Sequence, residues 1–339
     1  MKAIIVSEHG PPSSLKVTEA PRPARGKGEA LVRIVGAGVN PVDWKIRAGP
    51  EGGGLPSKLP QILGGDLSGV VLDCEEGGGE DEKFKPGDKV FALTNGFHWD
   101  HAEGCYCEIV SVPLSDLATA PASMPLLEAA AVPLVALTAW QTLALAPDDA
   151  IKGKRVLVHA GAGGVGHVAL QLAKNARGTA FVAATGRPRS FDFLKSLGCD
   201  EVIDYTVESW DEEYLKGDEE NKNFDIIFDV VAGPSEVKSY NLLKDGGYYL
   251  HVFNTGTDPE RSTKTKEEWA KDGKGRHYVG PTLVVPDGKA LAEISKLIDE
   301  GKLKVEINKV LPLEEASKAH EELETLTVRG KIVLKVSDE

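Results

Sequence analysis

Sulfur is scarce in this 339-residue chain, which has four cysteines and two methionines. Four thiols in a chain this long do not make a disulfide framework, so a reduced compartment is expected. Long apolar runs are missing as well. No stretch reaches the roughly 18 residues that a transmembrane helix needs, so no membrane association is expected. Positive charge is outweighed, with 39 Lys and Arg against 52 Asp and Glu and a net charge of −13. An acidic surface repels phosphate backbones, which sets nucleic acid aside as a partner. Much of the acid is gathered in 73–88 and 208–220, and both stretches read as solvated loops. The opening "MKAIIV" shows neither a charged n-region nor an apolar h-region. The expected location is cytoplasmic; a removed organellar peptide would leave the same start.

What is present suffices for about two domains with real cores, given a hydrophobic fraction of 41%. Residues 1–122 are β-rich. "KAIIV", "EALVRIVGAGVN", "LSGVVLDC", "DKVFAL" and "CYCEIVSVP" are short apolar or β-branched runs punctuated by Gly, Pro and Asp. They predict a partly open antiparallel barrel. Helical Ala- and Leu-rich sequence follows Pro125, with Pro133 separating two helices. From Lys154 strands and helices alternate, and the strands are apolar throughout, as expected when helices cover both faces. That pattern predicts an α/β doubly wound parallel sheet over 123–285. The segment 286–339 is expected to return to the first domain and complete it. Residues 254–276 are polar and charged, and predict a loop excursion.

"VLVHAGAGGVGHVALQLAK" (156–174) places Gly161, Gly163 and Gly166 in a G-x-G-x-x-G spacing, directly between a strand and a helix. In that context the first glycine permits a tight turn. The second keeps a side chain out of the path of a pyrophosphate, and the third allows close helix–strand packing. Unpaired amides and the helix dipole then attract the anion. A dinucleotide is the expected ligand. NAD sites carry Asp or Glu at the end of the second strand, for the ribose hydroxyls. Here "AFVAAT" runs into "GRPRS", which has no acid but has Arg187 and Arg189. A guanidinium grips a 2′-phosphate bidentately where a carboxylate would repel it. NADPH is therefore the expected cofactor, with Arg187 the first candidate for selecting it.

"GVNPVDWKIRAG" (38–49), "GGDLSG" (64–69), "FKPGDKVFAL", "LTAWQTL", "AGAGGVGHVALQLAK", "LGCDEVIDY" and "RGKIVLKV" together resemble the medium-chain dehydrogenase/reductase superfamily. The match is to its zinc-free branch of quinone oxidoreductases and alkenal/enone reductases, and it extends over nearly the whole chain. The resemblance implies a GroES-like barrel domain plus a Rossmann domain, and an assembly that is often a homodimer. Zinc-dependent relatives carry a Cys where this chain has Asn40, and a His-Glu pair where it has Gly65-Asp66. No metal is expected. His98, His101, Cys105 and Cys107 have N/S character, but the two cysteines are expected to share one side of a strand and pack as small apolar groups.

Without a Lewis acid, simple alcohols are poor substrates. A conjugated acceptor is easier, because hydride arrives at a conjugated carbon and charge spreads onto oxygen, where a few donors suffice. Asn40, Lys45 and Asp66 are the candidate catalytic residues. Asp66 is expected to pair with Lys45 or to line a cleft. Trp44 is a candidate pocket wall, and Asp43 a structural tie. The resemblance further implies cofactor contacts from Thr138, from Ala162, Gly163, Gly164 and Val165, and from Thr185 and Arg187. It adds Tyr205, Val231, Ala232, Val252, Phe253 and Lys331. The expected activity is NADPH-dependent reduction of quinones or other conjugated carbonyls. The alternatives are a 2-alkenone double-bond reductase with little quinone activity, or a non-catalytic NADPH-binding protein on the same fold.

Overall fold

The computed structural model describes residues 1–74, 84–94, 103–216, 223–252 and 259–339. These fall into two compact units. One comprises Met1–Leu137, Val285–Gly301 and Val305–Glu339, and the other Thr138–Val284 with Lys302–Lys304.

The first unit is built from short strands: β1 (Lys2–Val6), β2 (Leu15–Glu19), β3 (Glu29–Val39), β4 (Gln61–Ile62), β5 (Asp66–Cys74), β6 (Lys89–Leu93), β7 (Ile109–Pro113) and β8 (Leu117–Thr119). β3 organises it. One edge of β3 pairs antiparallel with β5, while β7 takes the other edge opposite Glu29–Arg33. Helix α1 (Pro41–Ala48) follows β3 directly, with Pro41 at a position where its missing N–H costs nothing. Then come α2 (Leu126–Ala129) and α3 (Pro133–Leu143), divided at Pro133 as the sequence predicts. Gly38 of β3 is bare because the chain after α2 lies directly on it. A Cβ there would stand 2.3 Å from the Ala130 carbonyl oxygen.

In the second unit, α4 (Asp148–Ile151) leads into β9 (Arg155–Val158). The alternation then runs through α5 (Gly164–Gln171), β10 (Phe181–Gly186), α6 (Phe191–Ser196), β11 (Glu201–Asp204), α7 (Trp210–Leu215), β12 (Phe224–Asp229), α8 (Pro234–Leu242), β13 (Leu243–Val252), α9 (Pro259–Lys271) and β14 (His277–Thr282). The strands are parallel in the order β11-β10-β9-β12-β13-β14. β9 leads one way to β10 and the other way to β12, so the strand order reverses at its C-terminal end, where such sheets bind nucleotides. α9 takes up most of the stretch expected as a loop over 254–276. The helix is charged on its outer side, with Lys264–Glu268 and Glu267–Lys271 pairs one turn apart. Its anchor is the buried Trp269, packed against Tyr240, Tyr249 and Tyr278. One aromatic in a charged stretch is too sparse a signal to show a 3.6-residue period.

The chain then returns to the first unit through α10 (Gly288–Asp299), β15 (Ile307–Pro312), α11 (Ala316–Glu324) and β16 (Lys331–Lys335). β16 fills the rest of the free edge of β3, antiparallel, with Ile332 opposite Val39. Cys105 and Cys107 are both buried but precede β7 rather than belonging to a strand. Tyr106 between them is equally buried, so there is no alternation. His98 and His101 lie outside the described residues.

Candidate active site

In the second unit, the candidate nucleotide site begins at the C-terminal end of β9. Gly161 and Gly166 are buried, while Ala162, Gly163, Gly164 and Val165 between them are half-exposed and form the rim available to a ligand. Gly166 is required by packing, since a Cβ there would lie 2.2 Å from the Ala160 carbonyl oxygen. Gly163 is the N-cap of α5, and no side chain caps the helix. Its Cβ would meet only the Ala160 oxygen, at 3.3 Å. The first-turn amides of α5 thus meet the requirements of a diphosphate, and the turn fits the pyrophosphate of a dinucleotide.

The first glycine plays a different part from the one its spacing suggests. The left-handed residue of the turn is Ala160, at φ 51°. Gly161 is instead needed for close approach to the next strand, where a Cβ would lie 2.6 Å from that of Ala184. A left-handed alanine costs roughly 1–2 kcal/mol, and glycine gives back about 0.4–1 kcal/mol of this through the unfolded chain. Ala160→Gly should therefore raise stability by about 0.5–1 kcal/mol. Urea denaturation would show it as a higher midpoint at constant slope; a lowered midpoint would mean that the lost methyl packing outweighs the strain.

Arg187 is exposed just beyond β10. Its Nε donates to the Tyr205 hydroxyl at 2.7 Å, and its guanidinium stands 5.8 Å from the centre of that ring. Tyr205 thus steadies the side chain through Nε while the terminal nitrogens keep their fork. Thr185 is placed differently. It is buried, and its hydroxyl oxygen accepts the Ala160 N–H at 3.0 Å. Its hydroxyl thus holds the turn at Ala160. The amides of Val231 and Ala232 are likewise engaged, donating to Asp229 Oδ1 at 2.6 and 3.1 Å. The Val231 side chain stands exposed beside them. Val252 ends β13, Thr138 is buried on α3, and Phe253 lies outside the described residues.

A separate cluster of polar side chains lies in the barrel unit and follows from strand register. Gly38 faces Asp66 across the β3–β5 ladder, and Ile332 faces Val39 across the β16–β3 ladder. Asp66, Lys331 and Asn40 therefore converge at the end of β3, though far apart in sequence. Lys331 donates to the Val39 carbonyl at 2.9 Å and to Asp66 Oδ2 at 3.3 Å, and it contacts Asn40 Oδ1. Asn40 Nδ2 donates to the same Asp66 oxygen at 2.8 Å, and the Leu134 amide donates to Oδ1 at 2.7 Å. All three side chains are buried. Asp66 thus pairs with Lys331, not with Lys45 as expected: the β16 register carries Lys331 to it.

Asp43 fixes Asn40 from below. Its Oδ2 accepts the Asn40 backbone N–H at 2.8 Å and the Tyr106 hydroxyl at 2.9 Å. Burial pushes its carboxyl up to about 7, against the pull of those two donors and of Lys331. Tyr106 in turn meets His320 Nε2 at 3.3 Å. Burial, and then the Arg47 charge, hold that imidazole down at about 3, in the neutral form. Lys45 and Trp44 are half-buried on α1, with the ammonium 5.7 Å from the indole centre. Burial lowers Lys45 to about 8, so it carries a proton at neutral pH and releases it readily. Tyr106 and His320 escaped notice in the sequence because a tyrosine between two cysteines and a histidine on a helix carry no spacing signal. Among the described residues, no group of three or more His, Cys, Asp or Glu is placed to hold a metal ion, and no helix is long and apolar enough to cross a membrane.

Comparison with known proteins gives the family. A family profile described as an alcohol dehydrogenase GroES-like domain matches residues 26–122, and one described as a zinc-binding dehydrogenase matches 197–334. The mouse mitochondrial NAD(P)H oxidoreductase RTN4IP1 is 34% identical, over 91% of this chain and 82% of its own length. The chloroplastic quinone-oxidoreductase homolog of Spinacia oleracea is 32% identical, over 98% of each chain. The 2-methylene-furan-3-one reductase of Solanum lycopersicum is also 32% identical, over 98% of this chain and 79% of its own. Among solved structures, the quinone oxidoreductase of Coxiella burnetii has a TM-score of 0.82 at 34% identity, covering 99% of both chains. The Escherichia coli quinone oxidoreductase complexed with NADPH has a TM-score of 0.81 at 27% identity, covering 99% of this chain and 100% of that one. Two of these relatives are named for mitochondria or chloroplasts, unlike the cytoplasmic location expected here. Given full-length relatives at this identity, and Asn40 and Asp66 standing where zinc enzymes keep ligands, the chain belongs to the zinc-free branch of the medium-chain dehydrogenase/reductase superfamily and is an enzyme of the NAD(P)H oxidoreductase kind.

Proposed function

We propose that the protein is an NADPH-dependent reductase of quinones and related conjugated carbonyls. The observation that carries this is the state of Asn40 and Asp66. Both are consumed by Lys331 and by each other, so the positions from which relatives bind a Lewis acid are closed by hydrogen bonds. The acceptor must then be one whose charge needs only donors. A bound reduced nicotinamide supplies the hydride. Ala162–Val165 hold the diphosphate, Arg187 selects the phosphorylated ribose, and Lys45 gives a proton to the anionic oxygen of the reduced acceptor. Asn40 is held in one rotamer by Asp66 and Lys331, and stays rigid throughout.

The test is NADPH consumption over a panel of quinones, enals and enones, with products identified. Quinols are expected. If saturated ketones form and quinones are untouched, the enone reductase reading takes over, and the tomato relative makes that the second choice. NADPH binding with no turnover on any acceptor would sink both. The kcat–pH profile should fall as pH rises through about 8, where Lys45 loses its proton. Lys45→Met should remove that limb and lower kcat by roughly 10²-fold.

A further inference from the structure

His159 stands immediately before the glycine turn, and neither the turn nor the proposed chemistry uses it. It is buried, with its ring edge-on to Trp210. Its Nε2 lies 2.8 Å from Ser239 Oγ on α8, and its Nδ1 lies 3.4 Å from Thr185 Oγ1 at the end of β10. The direction of each bond is determined by counting protons. The Ser239 hydroxyl donates to the Ser235 carbonyl, 2.6 Å away and one turn back. A carbonyl returns no proton, so the Ser239 oxygen is left to accept, and His159 must carry its hydrogen on Nε2. Nδ1 then offers only a lone pair, and the Thr185 hydroxyl proton points to it. The Thr185 oxygen, its own proton spent, accepts the Ala160 N–H at 3.0 Å.

The chain continues past α8. Ser235 Oγ donates to Asp229 Oδ2 at 2.7 Å, and Tyr249 of β13 donates to the same oxygen at 2.6 Å. The other Asp229 oxygen takes the Val231 and Ala232 amides, and Ala232 is left-handed at φ 59°. Burial raises the Asp229 carboxyl, while the Tyr249 and Ser235 hydroxyls and the Val231 amide, all donating to it, draw it down. The proton count places a hydrogen on Nε2, and burial favours the neutral form of the His159 imidazole, which leaves Nδ1 bare.

We propose that His159 is a positioning residue for cofactor binding. As the neutral Nε2–H tautomer it ties the turns after β9, β10 and β12 into one hydrogen-bonded unit, so the left-handed turn at Ala160 is formed before the dinucleotide arrives. This rests on the reading of the protein as an NADPH enzyme. Preorganisation of this kind acts on affinity by removing the cost of ordering the loops on binding. The effect belongs to the cofactor, not to the acceptor.

The test pairs Thr185→Val with Thr185→Ser. Valine keeps the shape and removes the hydroxyl, stranding both the Ala160 N–H and His159 Nδ1. The Kd for NADPH, from the fluorescence of the bound nicotinamide, should rise at least tenfold in Thr185→Val. It should return to within about threefold of wild type in Thr185→Ser. The KM for NADPH should follow the Kd, while the KM for the acceptor should not move. A purely structural role would lower the melting temperature and leave the Kd of the folded protein alone, and that outcome overturns the proposal. ¹⁵N-histidine NMR decides independently. One imidazole, identified by its loss in His159→Phe, should show the neutral Nε2–H pattern, and an Nδ1–H pattern overturns the proposal. If the wild-type protein binds no NADPH, the functional reading falls, and the tautomer measurement still decides whether the lock exists.

Discussion

Lys331→Met should destabilise the protein by about 3–5 kcal/mol, the range for breaking a buried ion pair by removing one partner. The lost attraction is the smaller part of the cost. Asp66 has no exposure at all, so without the ammonium its charge is stranded away from water, and Asn40 loses the partner of its carbonyl. Asp66→Asn in the same chain removes the stranded charge and should recover most of the loss, since an amide oxygen still accepts the Leu134 N–H. Urea midpoints of wild type, both single variants and the double variant form a cycle with a large coupling energy. Additive losses would mean that the pair seen at 3.3 Å contributes nothing jointly. Activity should vanish in Lys331→Met and stay low in the double variant, because Asn40 is left free to rotate.

Arg187→Ala should weaken NADPH by roughly 1.5–3 kcal/mol, the size of charge-assisted contacts to a phosphate. That is about a ten- to 150-fold rise in Kd at 1.4 kcal/mol per tenfold. NADH, which lacks the 2′-phosphate, should change by less than about twofold. The side chain is exposed, so the difference should shrink with added salt. Titrating both cofactors at two ionic strengths separates selection from general binding. If both cofactors weaken together, Arg187 serves the adenosine or the diphosphate, and the preference for NADPH loses its basis.

The layout of the fold was legible because it rests on periods. The first third alternates in short β runs. The middle alternates strand with helix, and the glycine turn sits where a strand hands over to α5. The contents of the barrel site were only half legible. Asn40 and Asp66 stand out by their position in motifs, but the partner of Asp66 depends on which residue of β16 faces Val39, and register between distant strands leaves no mark on either one. Lys45 is nearer in sequence, which makes it the more visible of the two lysines. In the nucleotide unit, G-x-G-x-x-G locates the turn but does not say which of its residues is left-handed. The spacing cannot show that Ala184 crowds Gly161 and so leaves the strained position to Ala160. α9 went unseen because a helix anchored by one tryptophan has no stripe to detect.

β16 supplies both the remaining partner of β3 and the ammonium that neutralises Asp66. During synthesis on a ribosome, the N-terminal third therefore emerges with an open strand edge and a lone acid that wait for the rest of the polypeptide. The stretch 138–284 is continuous and groups with only Lys302–Lys304 from elsewhere, so every residue of that unit has been made before β16 is. Translation thus delivers the nucleotide unit early and the barrel unit last.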